Sequence, residues 1–182
     1  MKKVALYLAE GFEEIEALAT VDILRRAEID VDIVSIDNEL DVVGSHGIKV
    51  MANLKIDNLK LKKYAMMILP GGMPGTINLD SSHMLKEQIL EFKSKDKYIC
   101  AICAAPMILG KMGLLDGKMA TCYPGVEEHL LGATYRPDMS VVVDGKIVTS
   151  RGAGTAMKFA LKLVEILKGS ELSKKLEESL LV

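Results

Sequence analysis

Tyr98-Ile99-Cys100-Ala101-Ile102-Cys103-Ala104-Ala105-Pro106 is an apolar run that stops on a cysteine and meets a proline three residues later. Its length and continuity predict a strand buried on both faces. Pro106 suits the first turn of a following helix, where a missing N–H costs nothing. A buried strand feeding directly into a helix is the unit of a parallel sheet, and here a thiol sits at the junction.

The same transition recurs on either side. Upstream, the run from Ala65 to Leu69 ends at Pro70-Gly71-Gly72, and a helix with Leu85, Ile89 and Phe92 on one face follows. The chain opens with the run from Val4 to Leu8, then apolar residues at helical spacing from Ile15 to Ala27 (Ile15, Leu18, Ala19, Ile23, Ala27), then alternation from Val31 to Ile36. This is a βαβ unit. Between residues 38 and 56, short extended pieces around Gly44 and Gly47 predict a hairpin. Downstream, residues 119–121, 140–143 and 146–149 read as strands, the last two joined by the hairpin dipeptide Asp144-Gly145. An amphipathic helix closes the chain, with Ala156, Phe159, Ala160, Leu163 and Leu167 inward and Thr155 as its N-cap. Repeated βα alternation with continuous apolar strands implies an α/β fold, a mostly parallel sheet with helices on both faces. Ligands in such sheets bind beyond the carboxyl ends of the strands. No linker or repeat divides residues 1–182, which read as a single domain.

Composition excludes several functions. Lys plus Arg (23) and Asp plus Glu (25) nearly cancel, so no global field gathers nucleic acid or an anionic membrane. With 4% aromatics and no Trp, a base-stacking platform is not expected either. No stretch approaches the roughly 20 apolar residues that span a bilayer. The apolar stretch from Val4 to Ala9, behind Lys2 and Lys3, is too short for an export signal, and three cysteines make no disulfide scaffold. A cytoplasmic setting follows as the expectation.

The chemistry gathers at strand ends. Cys103, at a strand-to-helix elbow, is expected to be ionised by backbone N–H groups and the helix dipole, which lower such thiols to pKa values of roughly 3.5 to 7.5. Gly71 and Gly72 end a neighbouring strand, and their N–H groups with that of Ala104 would form an oxyanion hole. Cys100 and Cys103 make a CxxC pair, but residues three apart on a strand face opposite ways, so Cys100 is read as core. Cys122 with His83 or His129 matches no metal-ligand spacing, and no metal is expected. Glu13, Glu14 and Glu16 crowd the first helix start, where the dipole accounts for two of them; a third could reach the thiol as acid or base. Asp22 and Arg26 form an i, i+4 ion pair.

Taken in order, Ala9-Glu10-Gly11-Phe12-Glu13-Glu14-Ile15-Glu16, Leu69-Pro70-Gly71-Gly72, Ala101-Ile102-Cys103-Ala104-Ala105-Pro106 and Ser150-Arg151-Gly152-Ala153-Gly154-Thr155 resemble the ThiJ/PfpI superfamily, in the branch of the parkinsonism-associated deglycase. The resemblance runs nearly end to end. It implies a flavodoxin-like three-layer sandwich, a homodimer and no required cofactor. Cys103 matches the reactive cysteine, Glu16 the acid that hydrogen-bonds it, Gly71, Gly72 and Ala104 the backbone around the thiol, and Arg26 an arginine near the site. Two positions depart from the branch: Tyr123 stands where a histidine is frequent, and His46 where an arginine is frequent. Losing that histidine weakens a peptidase reading, which needs a base for the thiol and an acid for the leaving amine. The resemblance therefore implies a glyoxalase or deglycase acting on a small reactive aldehyde or glycated adduct. The rival is a redox sensor or stress chaperone in which Cys103 becomes a sulfinate.

Overall fold

Continuous apolar runs become the inner strands, because a strand covered on both faces has no solvent side to make polar. The computed structural model describes residues 3–182, so Lys2 of the basic start lies outside the described residues. In chain order the elements are β1 (Lys3–Leu8), α1 (Glu14–Arg26), β2 (Val31–Ser35), β3 (Asp41–Val43), β4 (Lys49–Met51), β5 (Leu54–Lys55), β6 (Tyr64–Leu69), α2 (Gly75–Ser81), α3 (His83–Ser94), β7 (Tyr98–Ile102), α4 (Pro106–Lys111), β8 (Met119–Ala120), β9 (Thr134–Tyr135), β10 (Val141–Asp144), β11 (Ile147–Ser150), α5 (Ala156–Lys168) and α6 (Ser170–Leu180).

A seven-stranded sheet runs β10-β11-β7-β6-β1-β2-β5. Every pairing in it is parallel except that of β10 with β11, the hairpin expected at Asp144-Gly145. Alternate residues of β1 feed two cores. Val4, Leu6 and Leu8 join the side chains of α1 and α5 on one face, while Ala5 and Tyr7 join those of α3 and α4 on the other. Three layers result, as in flavodoxin-like folds. After β2 the chain adds β5 at the outer edge, then crosses to the other side of β1 and continues outward through β6, β7 and β11. The order therefore reverses at the β1/β6 boundary, where such sheets open a crevice.

Some local expectations are corrected. Ile15 and Leu18 do not face the sheet; they are 58% and 37% exposed, and the inward stripe of α1 is Ala17, Thr20, Val21 and Leu24. Periodicity ranks side chains by hydropathy, whereas small Ala17 and Thr20 let this helix lie close. The 119–121 strand leaves the main sheet and pairs with β9 instead. The closing segment is two helices, not one, because the chain turns at Gly169 (φ +96°) between α5 and α6. Leu167 is only partly buried. Thr155 stands at the N-cap position but does not cap: its hydroxyl turns back to Gly152 O and Ser150 Oγ, at 2.9 and 2.8 Å.

Candidate active site

Four chain segments meet beyond the carboxyl ends of the central strands. Cys103 follows β7 with φ +65°, a left-handed conformation unusual for a side chain with a Cβ. Its backbone is clamped on both sides: Cys103 N donates to Ser150 O at the end of β11 (3.0 Å), and Tyr123 N donates to Cys103 O (2.8 Å). Such strain persists only where the surroundings over-determine it. Pro106 opens α4 as expected, and the half-buried thiol accepts from the N–H groups of Ala104 and Gly72.

Glu16 comes from the first turn of α1 and is 1% exposed. Its neighbour in sequence explains why it turns inward: the Glu13 carboxylate caps the helix by accepting from Glu16 N at 2.7 Å, which leaves the Glu16 side chain free to reach the sheet. Glu16 Oε2 accepts from Gly71 N at 2.7 Å. Oε1 is buried without a hydrogen-bond partner, and the carboxyl as a whole interacts with the Cys103 thiol. Gly71 cannot be anything else here, because a Cβ would lie 2.6 Å from that of Cys103 and 2.8 Å from Glu16 Oε2.

The charge state differs from the sequence expectation. Burial raises the Glu16 carboxyl to about 7, although the hydrogen bonds from Cys103 and Gly71 oppose it. Burial also pushes the Cys103 thiol up, and the Glu16 charge adds to the effect; the Ala104 and Gly72 N–H groups only partly offset it. The expected thiolate, ionised independently by a helix end, is thus corrected: α4 spans six residues and its dipole is outweighed. Two buried acids in contact cannot both ionise cheaply. Above about pH 7 the pair keeps one proton, and burial together with the Glu16 charge leaves it on the Cys103 sulfur.

Of the expected site residues, Glu16, Cys103, Gly71, Gly72 and Ala104 come together. Gly71 serves the carboxylate, so its N–H is not open to an oxyanion; those of Gly72 and Ala104 face the sulfur. Tyr123 is also adjacent, its ring beside Gly152. Arg26 is not near: it lies ten residues along α1 from Glu16, about 15 Å away at 1.5 Å per residue, and pairs with Asp22 at 2.7 Å. His46 sits on the β3–β4 turn, where its Nδ1 meets the buried Glu14 carboxylate at 2.7 Å. Burial works to raise Glu14, yet the His46 side chain and backbone N–H outweigh it and hold the group at about 2. Glu13, Glu14 and His46 bring three potential ligand atoms within 4.8 Å of one another, but the Glu14 oxygens are already occupied by His46, Ser45 and Ile48. Cys100 is core, as expected, and Cys122 is buried and raised to about 12 by burial and Glu127. Among the described residues, no hydrogen bond joins a histidine to Cys103. Sequence reading overlooked Arg151 as a site residue, although it lies inside a motif that was singled out; only the fold sets it in the wall of the cavity shared by Tyr123 and Gly152.

Comparison with known proteins follows the same lines. The model of the DJ-1/PfpI family matches residues 2–166. Protein DJ-1 homolog B of Arabidopsis thaliana is 40% identical over 171 residues, covering 93% of this chain and 39% of that protein, so the chain spans less than half of that relative's length. The glutathione-independent glyoxalase DJ-1 of Schizosaccharomyces pombe is 35% identical over 174 residues, 91% of each chain. Among solved structures, oxidised Toxoplasma gondii DJ-1 superimposes with a TM-score of 0.94 at 37% identity, covering 100% of this chain and 98% of that one.

Proposed function

The chain belongs to the DJ-1/PfpI family, and from that premise we propose that it is a cofactor-independent glyoxalase or deglycase acting on methylglyoxal, glyoxal or their early adducts. The observation that carries this reading is the buried Glu16 carboxyl in contact with Cys103, raised by burial to about 7, the range in which one group can both give and take a proton.

In the proposed reaction the Cys103 sulfur adds to the aldehyde carbon, forming the S–C bond while its proton passes to Glu16. The Gly72 and Ala104 N–H groups hold the resulting oxyanion, which Glu16 then protonates to give a hemithioacetal. Glu16 next removes the C–H proton and returns it to the adjacent carbon, so the ketone becomes an alcohol and the hemithioacetal a thioester. Water cleaves the thioester to a 2-hydroxy acid and frees the thiol. Atoms balance as aldehyde plus water, with no outside oxidant. Steady-state assays of wild type, Cys103→Ser and Glu16→Gln against a panel of glyoxals, with scavenging controls for adduct substrates, test this. Conversion of methylglyoxal by Cys103→Ser at the wild-type rate would refute it.

A redox-sensing reading is favoured by a separate observation: Cys103 is half-buried whereas Cys100 and Cys122 are fully enclosed. Oxidation would then stop at one sulfur. A homodimer is supported by the exposed Ile15 and Leu18 of α1 next to exposed Ile48 and Met51 of the β3–β4 hairpin; the Glu14 contacts to His46 and Ile48 hold these two elements together. Light scattering of wild type against Ile15→Glu measures it.

A further inference from the structure

We infer that Arg151 and the cavity beside Cys103 form a subsite for a carboxylate, so that the chain prefers 2-oxoaldehydes or adducts bearing a carboxylate to neutral ones. This deepens the glyoxalase reading and rests on it for the reaction, though not for the binding.

A cavity of about 270 Å³ is lined by residues 151–155 on one side and by Tyr123 and Pro124 on the other. It adjoins the sulfur: a Cβ on Gly152 would lie 3.2 Å from the Tyr123 ring and 3.9 Å from Cys103 Sγ. Arg151 follows Ser150, whose carbonyl holds Cys103 N, so its backbone stands next to the nucleophile, while its charge is felt further along at Cys122 and Tyr135.

The other arginines are all engaged. Arg25 donates to Val31 O at 3.1 Å, Arg26 pairs with Asp22 and Arg136 with Asp138, both at 2.7 Å. Arg151 makes no hydrogen bond or ion pair among the described residues, and its Nε is closed off from solvent without a partner. The carboxylate of Glu127 acts on Cys122 in the opposite sense to Arg151; it accepts from Gly125 N at 2.6 Å and forms no ion pair with Arg151 among the described residues. A buried donor left unpaired is costly, and guanidinium presents a planar fork that fits a carboxylate with two parallel hydrogen bonds. An acceptor that arrives with the substrate would pair that donor.

Two measurements test the inference. In the first, kcat/KM is determined for 4,5-dioxopentanoate, a 2-oxoaldehyde with a distal carboxylate, and for methylglyoxal. The ratio of the two falls about tenfold or more in Arg151→Gln, as expected for one lost charge-assisted bond. Arg151→Lys restores it partly, because lysine keeps the charge but not the fork. The second needs neither turnover nor a variant. In wild type, 4-oxopentanoate should protect Cys103 from iodoacetamide at a concentration about tenfold lower than neutral 2-pentanone does. Equal protection by the two ketones, or an unchanged kcat/KM ratio in a folded Arg151→Gln, overturns the subsite. Preferential protection without turnover of either aldehyde keeps the subsite and refutes the glyoxalase reading instead.

Discussion

Replacing Glu16 by Gln should make the protein more stable at neutral and alkaline pH, although it removes the group on which the proposed chemistry depends. Glu16 has its folded pKa raised from 4.5 to about 7, chiefly by burial. Between those values the folded protein holds a proton that the unfolded chain has already released, so stability falls as pH rises through the window. The gap corresponds to about 3 kcal/mol at about 1.4 kcal/mol per pH unit. Gln is neutral at every pH and nearly the same shape, and its amide oxygen can accept from Gly71 N as Oε2 does. At pH 5 wild type and Glu16→Gln should differ by no more than about 1 kcal/mol, the worth of one altered hydrogen bond. At pH 8 the variant should be the more stable by about 3 kcal/mol. Urea denaturation followed by circular dichroism at half-unit steps from pH 5 to 8 measures the difference curve. Subtracting the variant from wild type cancels groups such as His46 that titrate in the same range but do not touch Glu16. A flat difference, or one that widens toward acid, would refute the assignment of Glu16 as a buried acid with a raised pKa.

Loss of the same carboxyl should lower kcat for methylglyoxal by about 10²- to 10⁴-fold, the usual span for a general acid or base, in the assay that gives Cys103→Ser its background rate. Mild peroxide should add two oxygens to Cys103 before either buried cysteine reacts, as read by peptide mass spectrometry; equal oxidation of Cys100 and Cys122 would count against the exposed-elbow geometry. Gly71→Ala should cost about 1 to 3 kcal/mol from overpacking and abolish turnover, because its Cβ would have to displace Cys103 or Glu16; thermal melts and the methylglyoxal assay report the two effects. His46 has its pKa raised by Glu14, so it contributes stability below its ordinary 6.5 and loses that contribution as pH rises through the higher folded value. The stability gap between wild type and His46→Ala should therefore shrink as pH rises from 6 to 9.

The amino-acid sequence was enough to place the inner strands of the main sheet, the hairpin at Asp144-Gly145, the elbow at Cys103 and the helix start at Pro106, because each depends on neighbouring residues: an apolar run, a turn dipeptide, a ring that fixes φ. Resemblance of its motifs added Glu16. Tertiary structure decided the rest. It showed that Ile15 and Leu18 point outward, that Arg26 is stranded at the far end of α1, that Gly71 serves Glu16 and not an oxyanion, and that Arg151, its Nε unpaired, lines the cavity next to Gly152. Above all it decided the ionisation of the site. A helix start by itself argues for a thiolate, but the proton's position is fixed by burial and by a carboxylate 87 positions away in the chain, brought into contact only when the parallel sheet aligns the ends of β1, β6, β7 and β11. Desolvation and charge repulsion depend on distance in space, and local sequence carries no record of that distance.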